Sequence, residues 1–338
     1  LTIGYLMATI GALLAAAAIS WSSFIACCLG AAMIGMGRGA GLQARFAAAE
    51  IQPPDHQARA IGLIVFAGTI GAVAGPLLVA PSQQWAQAFG FSYRTGPYLI
   101  AMLLLYGAVV LTFALLRPDP MTVARETLGA PALTGAADAS TERSLWTIFT
   151  PAPVRLALAA MLVGQLVMVL VMVITPLHMT RASYSDAQIS LVMTGHTLGM
   201  FGLAALTGWL IDRVGRTMMI GAGAVVLAVA SVMAPINFGL IWLIAALFLL
   251  GLGWNFCFIA GSSLLAAMLD AGERGRAQGA NDMLVALAAG IGSASTGVLF
   301  GLGGITLIAG LGVAIAGGLL LMTLRFGRKV AVAAAGAD

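Results

Sequence analysis

Ten apolar runs, at 1–19, 23–49, 60–80, 95–116, 154–177, 187–211, 217–235, 239–269, 283–301 and 303–324, constrain this chain more than any other feature. Each is close to or above the ~20 residues that a helix needs to cross ~30 Å of hydrocarbon. With 61% hydrophobic and 8% charged residues over 338 positions, against about a quarter charged in soluble proteins, a water-soluble globule is excluded. In hydrocarbon every backbone N–H and C=O must be satisfied inside the protein, and these runs lack the alternating polarity of barrel strands. The expected fold is all-α: a polytopic membrane bundle.

The net charge of +4 reports topology rather than nucleic-acid binding, because the bases lie between the apolar runs. One alternating set of connections carries Arg59, Arg117, Arg125, Arg143, Arg155, Arg213, Arg216, Arg274, Arg276, Arg325, Arg328 and Lys329; the other carries Arg94 and Arg181. The positive-inside rule puts the rich set, and both ends of the chain, in the cytoplasm. The connection 117–153, with Pro118, Pro120 and Pro131, has the composition of a tether. It separates a four-helix half at 1–116 from a six-helix half at 154–324, followed by a tail at 325–338. Trp146 and Phe149, near its end, read as an interfacial aromatic belt.

Shifting the sequence on itself by 216 or 217 positions aligns Arg59-Ala60-Ile61-Gly62 with Arg276-Ala277-Gln278-Gly279, and Ile3-Gly4 with Ile220-Gly221. The same register brings Gly35-Met36-Gly37 onto Gly251-Leu252-Gly253. In that register the first four helices pair with the last four, and the helices at 154–177 and 187–211 have no counterpart. The expectation is a six-plus-six protein whose first two helices precede Leu1.

Cys27, Cys28 and Cys257 fall in apolar runs without ligand spacing, so no disulfide framework, metal or cofactor is expected. Neither a His-Glu-x-x-His nor a phosphate-binding Gly-x-x-x-x-Gly-Lys occurs, which argues against an enzyme. The polar residues within the spans mark candidate contacts with cargo or coupling ion. Arg38 and Arg45, seven residues apart, share one helix face. Gln165, Trp254 and Asn255 can furnish hydrogen bonds and an aromatic wall. His196, near mid-span, is the side chain there whose ordinary pKa lies near neutrality, which makes it the candidate proton carrier, with a hydrogen-bonded structural histidine as the alternative.

Gly208-Trp209-Leu210-Ile211-Asp212-Arg213-Val214-Gly215-Arg216 resembles the G-x-x-x-D-R-x-G-R loop of the major facilitator superfamily. In that family the loop latches the cytoplasmic side, which would assign the role to Gly208, Asp212, Arg213, Gly215 and Arg216. Gly71, Gly75 and Pro76 resemble a signature of the exporter branch, although Val79-Ala80 replaces its usual glycines; by physics alone, Gly71 and Gly75 admit a close helix neighbour. Gly195, Gly199 and Gly202 form a candidate partner face. Leu42-Gln43-Ala44-Arg45, and Thr175-Pro176-Leu177-His178, look like bacterial drug-efflux members, which adds Gln43 to the candidate contacts. The resemblance implies a secondary transporter in the bacterial cytoplasmic membrane, exporting a small amphipathic molecule against protons by alternating access; the sequence does not fix the oligomeric state, and a monomer is favoured. A metabolite importer of the same superfamily and a nontransporting fragment are the alternatives.

Overall fold

The structure, a computed structural model, describes residues 1–50, 57–117, 143–236, 238–269 and 271–335. Among them every regular element is helical. The chain divides into two compact units, Leu1–Ala137 and Asp138–Asp338.

The first unit holds α1 (Thr2–Ser20), α2 (Phe24–Glu50), α3 (Gln57–Leu77), α4 (Val79–Ala88), a 3-10 turn (Tyr93–Thr95) and α5 (Gly96–Leu115). α1 and α2 fold back through a turn at Ser22, whose φ is +51°. They touch at the backbone: a Cβ on Gly11 would lie 2.7 Å from the Gly30 carbonyl oxygen, the close approach that small residues permit in place of hydrophobic drive within lipid. The third apolar run, expected to continue to 80, stops as α3 at Leu77. Pro76 removes one backbone donor and crowds the preceding turn, and α4 begins two residues later.

The second unit holds α6 (Leu145–Phe149), α7 (Ala152–Arg181), α8 (Asp186–Thr197), a π-helical segment (Leu198–Gly202), α9 (Ala204–Val214), α10 (Arg216–Met233), α11 (Leu240–Ala267) and α12 (Ala271–Ala335). α8 starts with a reciprocal cap, in which Ser185 accepts from the Gln188 N–H and the Gln188 side chain accepts from the Ser185 N–H. α12 comprises the ninth and tenth apolar runs, joined at a corner where Gly303 and Gly304 leave helical geometry and Gly304 takes φ +63°. Its contacts show the reversal. Asn281 meets Met161 and Phe300 meets Arg181, climbing α7; Phe326 then lies against Arg155 at the start of α7. Helix continues to Ala335, through most of the segment expected to be a tail.

The core of this unit is made by α7, α10, α11 and the arms of α12, through Leu156, Met161, Leu227, Leu247, Leu250 and Ile308, all nearly inaccessible. The leucines and isoleucines exposed at its rim, including Ile241, Ile291 and Leu302, fit a lipid solvent, against which an apolar surface carries no hydrophobic penalty. Six described helices, or seven with the bent pair α8–α9, are long and apolar enough to cross a membrane. One of these is the 51-residue stretch Arg276–Phe326. At 1.5 Å per residue it would span about 76 Å if straight, so folding at the glycine corner makes it two crossings.

Candidate functional site

Two adjacent residues of α11 organise the polar interior of the second unit. The Trp254 indole N–H donates to Gln165 Oε1 on α7 at 2.9 Å. The indole stacks on Phe258, with centroids 4.8 Å apart and planes 16° apart, and meets the edge of Phe201 at 5.9 Å. Gln165, Phe201 and Phe258 are half-buried. The Gln165 carbonyl end is held by Trp254, while its amide N–H groups have no partner among the described residues. An oriented amide donor beside aromatic faces suits a flat ligand with acceptors on its edge.

Asn255 points elsewhere, about 100° round the helix. It was expected to border a cavity; it is buried between helices instead. Its Nδ2 donates to the Met200 carbonyl oxygen at 2.6 Å, and the Thr207 hydroxyl donates to its Oδ1 at 2.6 Å. Met200 belongs to the π segment, where i→i+5 bonding disturbs the regular ladder, and Asn255 satisfies a carbonyl there. α8 and α9 are bent by 43° across this segment.

His196 lies two residues before this segment. The ring is 2% exposed, and Nδ1 lies 2.9 Å from the Leu247 carbonyl oxygen. A carbonyl can only accept, so Nδ1 carries the hydrogen. Nε2 is buried with no partner among the described residues. The histidine thus pins α8 to α11. Gly199 adds to this contact, because a Cβ there would overlap the Phe248 carbonyl, and a Cβ on Gly251 would lie 2.9 Å from the Met200 nitrogen.

These contacts correct the expected glycine face at one position. Gly195 and Gly199 pack on Ile244 and Phe248 of α11, whereas Gly202 faces only Leu198 of its own segment. Around Gly71 and Gly75 no described atom lies within 4 Å of a Cβ position. The side chains of Arg38, Gln43 and Arg45 on α2 lie outside the described residues.

The Gly208–Arg216 loop is compact. Gly215 ends α9 and starts α10 at φ +88°, ψ 154°, a conformation nearly restricted to glycine. Its N–H donates to the Ile211 carbonyl, and the Met219 N–H donates to the Gly215 carbonyl. Arg213 covers the Trp209 ring at 4.0 Å, while Arg216 Nε donates to Ser263 on α11 at 2.9 Å. Asp212, the acid of the motif, is exposed and has no partner among the described residues.

One ion pair escaped the sequence reading. Arg143 Nε donates to Glu273 Oε1 at 2.8 Å and a second guanidinium nitrogen reaches Oε2, a bidentate pair; Arg276 donates to the Arg143 carbonyl. Glu273 is 7% exposed in the first turn of α12. The signal available was a lone acid at a helix start, where negative charge is favoured, but 130 residues separate it from its partner. With Arg155 near Phe326 and Arg216 on Ser263, these contacts gather the basic residues of the unit at one end. The opposite end has Arg181, over Phe300 at 4.8 Å.

Residues 156–336 match the family described as Major Facilitator Superfamily. The uncharacterized MFS-type transporter YdeG of Bacillus subtilis (strain 168) is 33% identical over 306 residues, which is 88% of this chain and 70% of that protein. YddS, an uncharacterized MFS-type transporter of the same organism, is 32% identical over 78% of this chain and 61% of its own length. The riboflavin transporter RfnT of Brucella anthropi is 30% identical over 84% of this chain and 68% of its own. The crystal structure of a POT family transporter in complex with a thioalcohol-conjugated peptide superposes with a TM-score of 0.66 at 12% identity, covering 97% of this chain and 81% of that one. That likeness concerns the fold.

Proposed function

The chain belongs to the Major Facilitator Superfamily, and from that premise we propose that it moves a small, flat, partly apolar molecule across the bacterial cytoplasmic membrane by alternating access. The observation that carries the choice of cargo is the Trp254–Gln165 pair: an indole held by an amide whose N–H groups have no partner among the described residues, with Phe201 and Phe258 beside it. Stacking would hold the ring, and the amide would read an edge carbonyl. Phe201 lies in the π segment, so cargo against Trp254 also bears on the bend between α8 and α9. Binding can favour one facing over the other only through such a difference in contact.

Export against protons is supported by the likeness of Gly71, Gly75 and Pro76 to the exporter signature. Import is the second reading, supported by the 30% identity to a riboflavin transporter, whose named substrate is itself a flat heterocycle with edge carbonyls. The gathering of Arg143, Arg155, Arg216 and Arg276 at one end of the second unit supports a cytoplasmic placement of that end.

The test is flux in proteoliposomes containing the full chain, with riboflavin and other labelled planar compounds, under an imposed pH gradient of either sign. We expect saturable movement of a planar compound and a direction that follows the proton gradient. Trp254→Ala should cut the rate about tenfold, the worth of one stacked aromatic face, with Trp254→Phe between it and the parent. Flux equal to protein-free vesicles for every planar compound, with movement of a nonplanar one, would overturn the cargo assignment.

A further inference from the structure

A recess lined by Trp146, Phe149, Thr150 and Arg155 lies where α6 meets the start of α7, away from the Trp254 cluster. Its chemistry is specific. Arg155 is exposed, covers the Phe326 ring at 5.9 Å and makes no hydrogen bond or ion pair among the described residues. The Glu273 carboxylate is committed to the Arg143 guanidinium and makes no pair with Arg155 among the described residues. Trp146 is 85% exposed, and Phe149 supplies a half-buried apolar wall.

The recess also sits at a defined depth. α7 has 30 residues, about 45 Å at 1.5 Å per residue, which exceeds the ~30 Å hydrocarbon layer by about 15 Å. Shared between the ends, the surplus puts the first turn, with Arg155 as its fourth residue, among the lipid headgroups. Tryptophan favours the same layer.

We propose that this recess is a docking site for the headgroup of an anionic phospholipid. The Arg155 guanidinium binds the phosphate through its paired N–H donors, the Trp146 indole N–H adds a third, and Phe149 borders the glycerol and upper acyl chain. Charge complementarity selects the occupant. A zwitterionic lipid brings its own cation to the phosphate, whereas an anionic one leaves the phosphate to arginine.

Native mass spectrometry of the intact detergent-solubilised chain, titrated with phosphatidylglycerol or phosphatidylcholine, tests this. The parent should retain phosphatidylglycerol about fivefold more tightly, the size expected for one basic residue near the membrane surface. Arg155→Gln should abolish the preference, Arg155→Lys should keep most of it, and Trp146→Ala should weaken it. Each variant is paired with a melting curve, which should be unchanged because both side chains are exposed. Equal retention of the two lipids by the parent, or an undiminished preference in Arg155→Gln, would overturn the proposal. So would displacement of the lipid by equimolar inorganic phosphate, which would assign the recess to a free anion.

Discussion

At the scale of single residues, Asn255 and Gly215 do the most for the least volume. Asn255→Leu would leave the Met200 carbonyl and the Thr207 hydroxyl without this partner. Interhelical hydrogen bonds within membranes average about 0.6 kcal/mol, and an unpaired buried group costs about 1–3 kcal/mol. The expected loss is therefore about 1–2 kcal/mol, read as a lower midpoint of thermal unfolding in detergent. Thr207→Val should cost less, because Asn255 keeps its bond to Met200. Gly215→Ala forces a side chain to φ +88° and should cost about 1–3 kcal/mol, while Gly208→Ala, with open space around its Cβ position, should be nearly silent. Much of this was visible beforehand. A polar residue in an apolar run must find a partner, and Gln165, Trp254, Asn255 and His196 stood out for that reason. Which partner each takes depends on helix register across 48 to 89 residues of chain, which no local pattern encodes; hence Asn255 was expected at a cavity wall and is a structural clamp.

Among the elements, most of the apolar runs foretold helices within a few residues of their observed ends, but the last helix starts at Ala271 and ends at Ala335, well outside the runs at 283–301 and 303–324. The interruptions were less predictable. Pro76 announces the end of α3, but Leu198–Gly202 reads as ordinary helix, and its π geometry falls where α11 comes close enough to forbid a side chain at Gly199. Gly199→Ala should therefore drive the helices apart or straighten the bend, costing about 1–3 kcal/mol as overpacking does, and should slow transport more than binding if the bend changes during the cycle. Gly202→Ala is the matched control. Its nearest side-chain atom is 3.6 Å from the Cβ position, so stability should be unchanged or slightly higher.

For the whole molecule, the prediction concerns sidedness. In a background lacking Cys27, Cys28 and Cys257, a cysteine replacing the exposed Asp212 should react with a membrane-impermeant thiol reagent only when the cytoplasmic face is open to it. One replacing Ser185, at the far end of the same bent helix pair, should react only from the opposite side; the reverse pattern would invert the proposed topology. The alternation of basic and nonbasic connections yields this order as an expectation from sequence, since charge on a connection is a local property. The partner of Asp212 is not legible in the same way, because it depends on conformation, and here the acid has none among the described residues. The corner at Gly303-Gly304 carries a practical consequence for such mapping. Where most membrane hairpins offer a stretch of chain that antibodies, proteases or glycosylating enzymes can seize, this one passes from ascent to descent in two glycines, so the last pair of crossings has almost no handle at that tip, and any tag placed there would have to be accommodated by unravelling helix.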